Sequence, residues 1–257
     1  MEKKERKTSW GNVAPWYDKL LASESTYQKE VILPKLLGLM DIRKGEHILD
    51  LACGQGFFTA EFAKAGAQVT GADISPELIQ IAQKNFSKDI HFIVSAADKL
   101  TTIKDGSFDA VTIILALQNI GNLKGVVEEC SRVLKSGGKL FIVLNHPAFR
   151  VPQKSDWGYD AKKAVQYRRV EKYLSESMMK IDMNPGEKNI KKKIYTTSYH
   201  RALQQYFSIF HTSGFLVARL EEWVSHKKSQ AGPKQKIEDT ARKEIPMFLC
   251  IEAVKSR

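Results

Sequence analysis

Cysteine is scarce in this chain of 257 residues: Cys53, Cys130 and Cys250 are the only three, and they lie far apart. That number and spacing exclude a disulfide-stapled scaffold, offer no metal-ligand pattern, and fit a reducing, cytoplasmic setting. Long apolar runs are also missing, and nothing approaches the roughly 20 residues of a membrane-spanning helix. The charged start, Met1 to Lys7, has no apolar stretch behind it, so no signal peptide is expected. Acidic residues are the minority, 29 against 40 lysines and arginines, for a net charge of +11. The excess is local: residues 1–7 carry +2, residues 148–197 carry +6 and residues 226–244 carry +3, which leaves the remainder neutral overall. A solvated lysine-rich face is the plain explanation, and attraction to an anionic substrate or nucleic acid is the sharper one. The length allows a large core, and one domain with insertions is the default.

What is present is organised around His47–Phe58. A short apolar strand, His47-Ile48-Leu49-Asp50-Leu51, runs into the turn Ala52-Cys53-Gly54-Gln55-Gly56 and then a helix. Glycines there let a ligand approach the backbone, and the helix start offers free N–H groups to a carboxylate or phosphate. The next apolar run ends in Asp73, 19 residues after Gly54, where a ribose-binding carboxylate is expected. This is the layout of a nucleotide-binding βαβ unit. A dinucleotide fingerprint needs a third glycine, but Phe57-Phe58-Thr59 follows Gly56.

Further alternation follows. Strands are expected at 67–72, 91–94, 108–115 and 140–144, with helices at 57–65, from Ser75-Pro76 to about Phe86, and at 123–134. Gly66 closes the first helix and Asp105-Gly106 is a turn. Upstream, residues 10–22 read as an amphipathic helix, and a second runs from about Thr26 to Met40, kinked at Pro34 unless it begins there. Downstream, residues 148–197 break the alternation with aromatic and charged side chains, and two short helices are expected near 160–175. His200 opens an amphipathic helix over 199–211. Strands are expected at 215–223 and 246–254, joined by a basic loop over 226–244 with at most one helical turn.

Asp50-Leu51-Ala52-Cys53-Gly54-Gln55-Gly56 resembles motif I of the class I S-adenosylmethionine-dependent methyltransferases, in which an acidic residue stands four positions before G-x-G. A second segment, Arg132-Val133-Leu134-Lys135-Ser136-Gly137-Gly138, is similar to a recurring turn of the type-11 and ubiquinone/menaquinone-biosynthesis-like branch. The resemblance implies a three-layer, doubly wound α/β fold: a mostly parallel seven-stranded sheet with an antiparallel last strand. It covers the core, 45–147 and 198–257; residues 1–44 read as an N-terminal helical lid, and residues 148–197, projecting from the carboxyl edge after strand five, as an inserted substrate cap, with a decorative insertion or an oligomer contact as the alternative. It also implies S-adenosyl-L-methionine as cofactor, S-adenosyl-L-homocysteine as product, and no metal. Cofactor contacts then fall on Asp50, Ala52, Gly54, Gly56, Asp73, Ile74, Ala97, Asp98 and Leu115, with Tyr17 from Trp16-Tyr17-Asp18 of the lid.

A general base is needed only if the acceptor must lose a proton. His146 and His200 are the candidates, with Tyr17, and the alternative for either histidine is a hydrogen-bonded structural position. Gln118, Asn119, Tyr159 and Tyr199 could orient a substrate, whereas Cys53 reads as a small packing residue. The expected reaction is methyl transfer to a small-molecule acceptor, anionic or aromatic. A nucleic-acid acceptor ranks second, because Leu117-Gln118-Asn119-Ile120 stands where base-nitrogen methyltransferases carry Asp/Asn-Pro-Pro-aromatic. A nicotinamide-dependent oxidoreductase ranks third. No motif specifies an oligomeric state.

Overall fold

The computed structural model describes residues 25–183 and 193–256. Trp16, Tyr17 and Asp18, and with them the lid contact expected of Tyr17, lie outside the described residues. The core strands are β1 (His47–Leu51), β2 (Gln68–Asp73), β3 (His91–Val94), β4 (Phe108–Ile114), β5 (Leu134–Asn145), β10 (Phe215–Trp223) and β11 (Phe248–Lys255). They form one sheet in the order β10-β11-β5-β4-β1-β2-β3, parallel except for β11, which runs antiparallel to both neighbours. The expected α/β architecture and its antiparallel last strand are therefore present.

Alternation along the strands divides the core. Leu49, Leu51, Val111 and Ile113 point to one face, under α4 (Leu123–Val133) and α5 (Leu203–Thr212). Ile48, Ala110 and Val143 point to the other, under α1 (Leu33–Met40) and α2 (Phe57–Lys64). α3 (Pro76–Asn85) starts as its sequence dictates, with Ser75 Oγ accepting from Leu78 N at 3.3 Å. Strand order reverses between β1 and β4, and a ligand crevice belongs beyond the carboxyl ends of those two strands.

Four local expectations are corrected. The helix expected from Thr26 is a π-helical stretch, Gln28–Ile32, and α1 begins only at Leu33, so Pro34 sits in a first turn where its missing N–H costs nothing. Residues 155–170 are not helical. They form the hairpin β6 (Ser155–Asp160) and β7 (Val165–Val170), whose turn is closed by Asp160 Oδ1 accepting from Lys162 N and Lys163 N at 2.9 and 3.1 Å. A second hairpin pairs β8 (Ser177–Asp182) with β9 (Tyr195–His200), so His200 closes a strand instead of opening a helix. The basic loop after β10 contains a ten-residue helix, α6 (Gln235–Glu244), free to form once Pro233 is passed.

The Arg132–Gly138 segment earns its composition by clamping. Arg132 donates to the carbonyls of Ile103 at 2.8 Å and Leu100 at 2.9 Å, and pairs with Glu129 at 2.8 Å and Asp105 at 2.6 Å. The loop after β3 is thereby tied to α4, and Gly137, with φ +75°, turns the chain into the paired part of β5. Arg132→Ala should lower unfolding stability by about 2 kcal/mol, because the Leu100 and Ile103 carbonyls lose their donor and Glu129 its partner. Denaturant melts check this; an unchanged midpoint would contradict it.

Candidate functional site

A cavity of about 470 Å³ opens at the predicted crevice. Its walls are the turn after β1, the end of β2 with Ile74, the Ser95–Asp98 loop, the end of β4, and residues 119–122. Thr196, Thr197 and Tyr199 of β9 complete it from the inserted region.

Asp50 lies at the bottom, 2% exposed. Alternation in β1 turns it to the face covered by α2, and strand register sets it beside Thr112 of β4. Thr59 Oγ1 donates to its Oδ2 at 2.6 Å and Thr112 Oγ1 to its Oδ1 at 3.0 Å. Burial raises its pKa from the usual 3.8 to about 6, against the two hydroxyl hydrogen bonds, which lower it; the neighbouring Asp73 adds to the rise.

Asp73 is the second buried carboxylate. Gly54 N donates to one oxygen and Ser75 N to the other, both at 2.9 Å. Burial again pushes its pKa upward. Each oxygen keeps a lone pair for a ligand hydroxyl. Gly54 and Gly56 have φ of +59° and +85°, and a Cβ on Gly56 would stand 2.8 Å from the Phe92 ring. Ala52 and Leu115 also adopt positive φ, +60° and +54°, so backbone strain sits at both strand ends that frame the cavity. Gly56 leaves the N-terminus of α2 without a side-chain cap.

The fold thus brings Asp50, Ala52, Gly54, Asp73, Ile74, Ala97, Asp98 and Leu115 to one cavity wall, with Gly56 completing the turn. Asp98 accepts from Asn122 Nδ2 at 3.0 Å. His146 and His200 are not in that wall. His146, 2% exposed, contacts Glu222 through Nε2 at 2.7 Å and accepts from Ala148 N through Nδ1 at 3.2 Å, and burial pushes its pKa down. His200 Nε2 contacts the Tyr173 carbonyl at 2.7 Å. Gln118 and Tyr159 also lie outside the wall, whereas Asn119 and Tyr199 are in it. Cys53 is a thiol whose pKa burial raises well above the ordinary range.

Sequence reasoning passed over Gln55, Asn122, Thr196 and Thr197. Gln55 is 3% exposed, lines the cavity, and neither its Oε1 nor its Nε2 has a hydrogen-bond partner. A buried polar side chain without a partner is rare, and this one lines the cavity. Among the described residues, no cluster of three or more His, Cys, Asp or Glu is placed to hold a metal.

Residues 49–142 match the family model described as "Methyltransferase domain". A ubiquinone biosynthesis O-methyltransferase of Xanthomonas oryzae pv. oryzae is 37% identical over 101 residues, 38% of this chain and 42% of that protein. A demethylmenaquinone methyltransferase of Tropheryma whipplei is 36% identical over 114 residues, 44% of this chain and 46% of that protein. The chain therefore matches less than half the length of either relative. The crystal structure of an S-adenosylmethionine-dependent methyltransferase from Mesorhizobium loti superposes with a TM-score of 0.70 at 24% identity, covering 90% of this chain and all of that one, and so shares the fold. The cavity is built almost wholly from this methyltransferase domain, with β9 added from beyond it.

The Asp50 carboxyl gives a pH signature. Its folded pKa, about 6, exceeds the unfolded 3.8, so between those values the folded state holds a proton that the unfolded state has released. Stability from this group is full below pH 3.8 and is lost as pH rises through 6, by about 3 kcal/mol at most. Asp50→Asn removes that loss, so the ligand-free variant should gain on the parent between pH 4 and 7. Parallel stability profiles for the two proteins would contradict the burial argument.

Proposed function

We propose that the chain transfers a methyl group from S-adenosyl-L-methionine to a small-molecule acceptor. One observation carries this reading: two buried carboxylates and an unpartnered buried glutamine surround a single glycine-turn cavity. S-adenosylmethionine carries a sulfonium and an ammonium against one carboxylate, so its net charge suits Asp50 and Asp73. A nicotinamide dinucleotide would bring a pyrophosphate to the same two carboxylates and be repelled.

The residues present fit the cofactor. Gln55 offers an acceptor and two donors to its amino-acid end, beside the uncapped N-terminus of α2. Asp50 provides the negative potential for the ammonium. Asp73 keeps lone pairs for the ribose hydroxyls, Asp98 is assigned to the adenine amino group, and Ile74 and Leu115 to apolar contact. When bound, the cofactor supplies a methyl group already attached to a good leaving group. The chain's own work is then to hold an acceptor in line and exclude water.

Acceptor contacts fall on Asn119, Thr196, Thr197 and Tyr199. This supports reading residues 148–197, continued through β9, as a substrate cap on the core; of the expected lid over 1–44, the described part packs through α1 on the sheet face. The name of one relative, an O-methyltransferase of ubiquinone biosynthesis, favours an aromatic hydroxyl as the attacking group. Such a hydroxyl loses its proton as the new bond forms, and Tyr199 is the phenol in the wall placed to orient it. His146 and His200 could serve only after giving up their present partners. A nucleic-acid acceptor rests on charge alone. The cytoplasmic assignment rests on the free cysteines; no helix among the described residues is long and apolar enough to cross a membrane.

Labelled-methyl transfer to a panel of catechols and hydroquinones tests the proposal. Asp73→Asn should raise KM for the cofactor about tenfold or more, and Tyr199→Phe should lower kcat while leaving cofactor affinity unchanged. An unaltered cofactor KM in Asp73→Asn would remove the ribose assignment, and a panel without product would remove the aromatic acceptor.

A further inference from the structure

Two of the basic segments, 148–197 and 226–244, are distant in sequence and meet in the fold, where α6 packs against β7. Three arginines converge there. Arg168, on β7, is fixed: its Nε donates to the Phe149 carbonyl at 2.8 Å, its Nη2 to Ser155 Oγ at 2.9 Å and to the Ser155 carbonyl at 3.2 Å. Its guanidinium also lies 5.4 Å from the centre of the Trp157 ring. Arg242, on α6, donates from Nε to Ser229 Oγ at 3.0 Å. Arg150 lies in the turn after β5, where its N donates to the His146 carbonyl at 2.8 Å, and the Phe149 carbonyl that precedes it is the one held by Arg168.

Arg150 is different. Its Nε is buried without a hydrogen-bond partner, and its side chain makes no ion pair among the described residues. Burial, Arg168 and Arg242 disfavour its charge, and Tyr27 works the other way. Asp156 acts on Arg168 and is paired bidentately with Arg169, at 3.1 and 2.9 Å; Asp239 acts on Arg242 and accepts from Ser229 N at 2.7 Å; neither acts on Arg150. A half-buried guanidinium beside two others, with no counter-charge of its own, is an unfavourable arrangement unless an anion completes it.

We propose that Arg150, Arg168 and Arg242 form a binding site for a phosphate-type oxyanion at the junction of β5, the β6–β7 hairpin and α6. The free fork of Arg150 matches the two-oxygen edge of a phosphate, and the two pre-positioned arginines supply the field. This goes beyond methyl transfer, since nothing in it requires the cofactor cavity to be filled.

Calorimetric titration of the full chain with inorganic phosphate and with phenyl phosphate, at constant ionic strength, tests the site. Saturable binding is expected, weakened about tenfold or more by Arg150→Gln and by Arg242→Gln. Arg150→Lys, which keeps the charge and loses the fork, should also bind more weakly, and thermal melting confirms that each variant is folded. Tighter binding of phenyl phosphate would assign the site to an organic phosphate ester, and equal or weaker binding to free phosphate. No saturable binding of either probe, or equal affinity in Arg150→Gln, would overturn the proposal. S-adenosylhomocysteine titrated into the same samples reports on the cofactor cavity separately.

Discussion

The structure turns on a carboxylate kept away from water. Asp50 is held by one hydroxyl from α2 and one from β4, so a single buried group ties together the strand, the helix and the neighbouring strand that frame the cavity. Burying a carboxylate with only two neutral donors is costly, as its raised pKa records. Asp73 is held in the same manner by two backbone amides, one of them from the glycine turn. Both carboxylates are therefore positioned before any ligand arrives. The positive φ angles of Ala52 and Leu115 show strain stored at the same two strand ends.

The sheet was legible because strands buried on both faces read as nearly continuous apolar runs, as at 108–114. The helix starts were legible from caps such as Ser75-Pro76. The inserted hairpins were not: their alternation of aromatic and charged residues carries no buried face, and the turn Asp160–Ala164 is made of residues that suit a helix. α6 was hidden because Ala241 is its one buried side chain. At the site, the acidic residue before G-x-G and Asp73 were visible by spacing. Gln55 was not, since nothing in a glycine turn distinguishes a buried glutamine from a solvated one. Thr196 and Thr197 arrive from a strand far downstream, through pairings that no local pattern encodes. His146 was chosen for its place at a strand end, and there its ring is taken up by Glu222 and the Ala148 amide.

Charge is segregated along the carboxyl edge of the sheet. The crevice between β1 and β4 holds buried carboxylates, while the region beyond β5 gathers arginines from two sequence segments. The net charge of +11 thus conceals two local environments of opposite sign. Ligands of opposite charge can be separated on one sheet edge in this way, because each field is short-ranged in salt.

The proposed cofactor cavity over β1 and β4 takes an adenosyl sulfur nucleoside, with its two buried carboxylates turned to the ammonium and the ribose hydroxyls. Calorimetric titration of the full chain with S-adenosylmethionine, S-adenosylhomocysteine and NAD in parallel tests it most directly. The account predicts saturable binding of the two sulfur nucleosides and none of NAD. Binding of NAD alone would contradict it and return the glycine turn to the dinucleotide-binding class.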